Sequence, residues 1–139
     1  MPVGALPILR SVRVPPRQFV AVLAVVLSVV AWAAWLGWDQ EYHLDPATGD
    51  PAGPYRAWQV VGCVLTLLAA AALAGWALRA VVAAALVTVP FTVCWTVAAV
   101  NQDDTGLFAV GAVLLAVGLF LGSGAVAAGS GRLSSPGRR

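Results

Sequence analysis

Along the chain, polar residues gather in clusters and leave four long apolar stretches between them, at 19–38, 58–77, 81–100 and 107–126. None of the four contains Asp, Glu, Lys, Arg or His. Each holds about 20 residues, the length a helix needs to cross a hydrocarbon layer about 30 Å thick at about 1.5 Å per residue. Strict alternation is missing, and an open sheet in lipid would leave its backbone groups unpaired. The pattern therefore predicts an all-α membrane protein, a bundle of four transmembrane helices.

The links between the stretches differ. The first, 39–57, is long and carries Pro46, Pro51 and Pro54 with Gly49 and Gly53, which reads as successive turns. The second, 78–80, is only Leu-Arg-Ala, and the third, 101–106, is a polar turn. Short links force antiparallel neighbours, so the last three helices are expected to run up, down and up beside one another. The expected domain organisation is a basic segment at 1–18, a single membrane domain at 19–128 and a basic, disordered tail at 129–139. The first stretch exceeds the about 7–15 residues of a signal-peptide core, so it is expected to be retained as a helix.

Charge orients the bundle. Arg10, Arg13, Arg17, Arg79, Arg132, Arg138 and Arg139 fall on one side of the expected membrane. Asp39, Glu41, Asp45, Asp50, Asp103 and Asp104 fall on the other, with Arg56. Positive charge is retained in the cytoplasm, so both termini are expected inside (N-in/C-in), with the long loop outside the cytoplasm. Trp38, Tyr42, Tyr55 and Trp58 bracket that loop at the two membrane junctions, where amphipathic rings prefer to sit.

Composition narrows the class further. The chain is 60% hydrophobic and 10% charged, with a mean hydropathy of +0.87. A soluble domain carries about 25% charge. These values exclude a disordered chain, a disulfide-rich secreted module and an ordinary cytosolic enzyme. All eight basic residues are Arg and Ala and Val abound, a usage that correlates with a GC-rich bacterial genome and a bacterial cytoplasmic membrane.

Candidate chemistry is sparse. The single His, His43, stands with Asp39, Glu41 and Asp45 in the long loop, and reads as part of a solvated acidic loop rather than a metal site. No catalytic constellation, phosphate loop or cofactor motif is present, so no enzyme activity and no cofactor are expected. The Arg residues are accounted for by topology, so no nucleic-acid partner is expected.

Three features remain. Cys63 and Cys94 lie at matched depths on either side of the Arg79 turn, a candidate thiol pair, although two small packing residues is the plainer reading. Thr88, Thr92 and Thr96 share a sector of about 80° on the third helix around Pro90, a candidate polar stripe and kink. Such hydroxyls more often join helices than line a path. Gly111, Gly118, Gly122 and Ala125 share a sector of about 60° on the fourth helix, the candidate packing face, and Gly124 points about 140° away from it. Glycines allow close approach of helix backbones. These features leave three readings. The first is a non-enzymatic membrane subunit or partner, bound in the bilayer to another membrane protein or to a second copy of itself. The second is an oligomeric permeation or transport protein for small solutes or ions, and the third a thiol-based redox protein.

Overall fold

The computed structural model describes residues 15–134. Four helices occupy them: α1 (Arg17–Trp35), α2 (Ala57–Ala77), α3 (Ala80–Val100) and α4 (Phe108–Leu133). All four are long and apolar enough to cross a membrane, and no strand occurs among the described residues. Arg10, Arg13, Arg138 and Arg139, with residues 1–14 and 135–139 of the two expected terminal segments, lie outside the described residues.

Helix limits depart from the apolar stretches where local chemistry differs from hydropathy. α1 begins at Arg17, directly after Pro16, whose carbonyl accepts the Phe19 and Val20 amides. It ends at Trp35, and Trp38 lies beyond it with its indole N–H bonded back to the Ala34 carbonyl at 2.8 Å. α4 runs past 126 to Leu133, because this Ala-, Gly- and Ser-rich continuation holds no proline and buries Ala127 and Ser130.

The helices pack in a ring ordered α1, α2, α4, α3. α1 rests on α2 and α3, α4 rests on α2 and α3, and α1 and α4 do not touch. α2 and α3, joined by the two-residue link of Leu78 and Arg79, meet across the centre over a shorter stretch than any other touching pair. A tight link fixes only the ends of a helix pair. Packing decides the rest, and small residues on α2 admit α4 instead.

Small or branched side chains fill most of the buried positions, among them Ala24 and Ala31 on α1, Ala70, Ala71 and Ala74 on α2, Ala83, Ala84 and Val87 on α3. Lipid is as apolar as these side chains, so close van der Waals packing rather than water exclusion holds such a bundle. The tightest contact is at Gly75. A Cβ there would fall 2.6 Å from the Ala127 Cα and run into the Ala127 carbonyl and the Ser130 hydroxyl. Across α1 and α2, the Trp35 ring lies on Gly62, where a Cβ would stand 2.5 Å from ring carbons. The Trp35 indole donates to Thr66 Oγ1 at 3.1 Å, and that hydroxyl donates to the Gly62 carbonyl at 2.8 Å.

The long loop folds back on itself. Leu44 and Pro51 form an isolated antiparallel bridge, and the Ala52 amide donates to the His43 carbonyl at 2.8 Å. Gly49, with φ of 73°, supplies the left-handed residue of the turn between them.

Candidate functional site

α2 and α4 touch at Gly75 but part toward the acidic end of the bundle, leaving a cavity of about 530 Å³ between them. Side-chain size accounts for the parting. Near the Arg end, Gly75, Ala127 and Gly131 bring the backbones together, and a Cβ at Gly131 would meet the Gly75 carbonyl at 3.0 Å. Nearer the acidic end the facing residues are Val64, Leu67 and Leu68 on α2 and Leu115 and Leu119 on α4. Phe91 and Trp95 of α3 line the cavity as well. Its wall is almost wholly apolar, and its volume falls within the about 300–1,000 Å³ of ordinary ligand pockets.

Gly118 and Gly122 line this cavity, and a Cβ at either would meet nothing within 4 Å. Ala125 is exposed. Gly111, a turn and more toward the acidic end, is covered: the Trp95 ring would lie 3.0 Å from its Cβ. Of the candidate packing face, then, one residue is packed within the chain and three are open. Gly124, which points away from Gly118 and Gly122, faces α3, with the Ala84 methyl 3.6 Å from a Cβ built there. The buried side of α4 is Ser123, Ala127 and Ser130, which the glycine pattern did not single out. Their three- and four-residue spacing, matched by Ala70, Ala71, Ala74 and Gly75 on α2, was the available signal.

Polar residues close the acidic end. Gln59 is fully buried; its side-chain carbonyl accepts the Arg56 amide at 2.7 Å and its amide donates to Asp39 Oδ2 at 3.3 Å. This is half of a capping box, in which the third helical residue reaches back to the helix start. His43 Nε2 lies 3.4 Å from the same Asp39 oxygen. The Gln102 side-chain amide donates to the Gln40 side-chain carbonyl, which ties the α3–α4 turn to the start of the long loop after α1. Burial pushes the Tyr55 phenol above its ordinary pKa, and the neighbouring Gln40 side chain offsets part of the effect. Tyr55 and Trp95 line both the apolar cavity and a second one of about 370 Å³ that Gln102 and Asp103 also line. The two rings therefore stand at the boundary between the apolar interior and the polar end.

Asp103 starts α4. Its carboxylate accepts the Phe108 amide at 2.7 Å and the Thr105 amide at 2.7 Å, and the Thr105 hydroxyl at 2.5 Å. Those bonds, led by the Thr105 hydroxyl, hold its carboxyl below the ordinary carboxylate range.

The remaining candidate residues line no common cavity among those described. Cys63 and Cys94 are both free thiols. Cys63 is buried with Leu67 and Phe91 and lines the apolar cavity, which Cys94 does not. Thr88 and Thr92 hold buried hydroxyls without a hydrogen-bond partner, as does the Trp32 indole. Neither they nor Thr96 lines any of the three cavities of the bundle described here. Pro90 stands inside α3, which continues through it. The interhelical hydroxyl bond falls to Thr66 on α2. Among the described residues no three His, Cys, Asp or Glu side chains gather as metal ligands.

Compared with protein-family models, curated proteins and solved structures, the chain matches none.

Proposed function

We propose that the chain is a non-enzymatic subunit of the bacterial cytoplasmic membrane, with both termini in the cytoplasm, that works by pairing through α4 with another membrane helix. The observation that carries this reading is the open glycine face beside the α2–α4 cavity. Leu114, Val117, Gly118, Leu121, Gly122 and Ala125 form one continuous exposed, uncharged strip on a helix of which only Ser123, Ala127 and Ser130 are buried. Gly118-Leu-Phe-Leu-Gly122 is a G-x-x-x-G, the spacing that lets two helix backbones cross closely in lipid. A smooth, uncharged strip is complementary to itself, so the partner proposed is α4 of a second copy, related by a two-fold axis.

Cysteine cross-linking in native membranes tests this. With Cys63 and Cys94 replaced by Ala, Leu121→Cys should form an oxidative dimer and Ala127→Cys, which faces α2, should not. Adding Gly118→Ile should abolish the dimer. If positions 114, 117, 121 and 125 all stay monomeric, the pairing reading fails. Orientation is tested separately with a reporter active only outside the cytoplasm. Fusion at Gly49 should give signal and fusion within the Arg79 link should not.

A further inference from the structure

A third cavity, of about 410 Å³, lies at the Arg end of the bundle, between the start of α1, the α2–α3 link and the end of α4. Arg17 lines it from α1 and Arg79 from the link, with Trp76 beside them. The ion pair found among the described residues, His43 with Asp39, is at the far end of the molecule. Every Asp and Glu of the chain belongs to the two links at that far end, so the chain has no acidic side chain to place between these guanidinium groups.

Backbone charge adds to the imbalance. α1 and α3 both begin at this end, without an acidic residue in the first turn and without a side-chain cap. A helix start carries about half a positive charge and exposes amide donors. α2 and α4 end at the same level, but their carbonyls offer only partial negative charge. No Asp or Glu side chain of the chain can supply the full negative charge these groups call for.

Depth tells which anion. The helices stop here, and Trp76 is 64% exposed at the last turn of α2, the level at which an indole meets lipid headgroups. Guanidinium groups match phosphate oxygens in shape and charge. We propose that this cleft binds the phosphate of an anionic membrane lipid, held by Arg17 and Arg79. The proposal needs the four membrane spans and is independent of the α4 pairing above.

The full chain in detergent micelles can be titrated with phosphatidylglycerol and with phosphatidylcholine of the same acyl chains, bound lipid being read by native mass spectrometry. Phosphatidylglycerol should bind more tightly. Arg17→Gln and Arg79→Gln should each weaken it about fivefold, and the double variant about thirtyfold, from the usual contribution of one Arg at an anionic surface. Arg56→Gln, at the opposite end, should leave it unchanged. Circular dichroism checks that the variants fold. Should they not, the unmodified chain still decides: added salt should weaken phosphatidylglycerol binding and leave phosphatidylcholine binding alone. Equal binding of the two lipids, or a preference that survives in the double variant or in high salt, overturns the proposal. Displacement of phosphatidylglycerol by inorganic phosphate at comparable concentration overturns the lipid assignment, because the cleft would then take a soluble anion.

Discussion

α2 and α4 make the closest approach found among the described residues at one end and part around a cavity of about 530 Å³ at the other. At the Arg end Gly75 admits the α4 backbone itself; toward the acidic end the same two helices stand apart around a cavity lined by leucines. Both ends lie in apolar helices long enough to cross a membrane, so hydrophobicity does not distinguish them. Side-chain volume does. In lipid, helices gain little by hiding apolar surface from one another and much by fitting closely. A glycine with a backbone against it and a glycine facing open space are therefore different residues energetically, although a sequence writes them alike.

The sharpest way to break the comparison is at the closed end. Gly75→Val should force α4 away from α2 and cost at least the upper part of the about 1–3 kcal/mol usual for overpacking. Thermal unfolding in mild detergent should show a large loss of stability. An unchanged midpoint would mean the two helices do not meet there.

Gln59→Leu at the acidic end should cost about 1–3 kcal/mol, because it strands the Arg56 amide and removes one partner of Asp39. The same unfolding measurement reads it. A loss clearly larger than that of Gly75→Val would show that the polar end, not the glycine contact, governs stability.

A smaller effect is expected at Asp103. Its carboxyl titrates lower folded than unfolded, so the unfolded chain takes up the proton first as pH falls. Its contribution should be complete above the ordinary carboxylate range and disappear as pH drops through the lower folded value. Asp103→Asn should flatten that part of the stability–pH curve. A curve identical to the unmodified chain's would mean that the α4 start is not held by this carboxylate.

The smallest effect should be at the open end. Gly118→Ile points into space and should leave the stability of the single chain within about 0.5 kcal/mol, as for a surface substitution. Only the cross-linked dimer should respond. A large loss of stability in dilute micelles would show that the cavity closes in solution.

The four helices were legible because a span of the bilayer demands a long apolar run, and nothing else in 139 residues competes with that signal. Their limits were less so, since Trp38 is apolar yet lies outside α1, while Ser130 is polar yet lies inside α4. The arrangement of neighbours was hidden. The short Arg79 link implied that α2 and α3 pair along their length, but a link constrains one end only, and Ala71, Ala74 and Gly75 leave room for α4. The glycine sector on α4 is a true property of the helix wheel. It says which side is smooth, not which side is covered, and the chain covers the side of Ser123, Ala127 and Ser130 instead. Gly62 and Gly75 carry the closest approaches and were passed over because each stands alone among larger neighbours, without a repeat to mark it.

That α1 and α4 never touch has a consequence for biosynthesis. As the chain leaves the ribosome, α1 can dock on α2 once the folded loop between them has emerged, through Trp35 on Gly62. α3 follows and buries Val87 and Phe91 with residues of both. No contact of this three-helix intermediate waits for α4. The fourth helix meets a surface already built from α2 and α3, and nothing it does requires α1 to move. Emergence and assembly can therefore proceed in the same order, with α4 the last piece added.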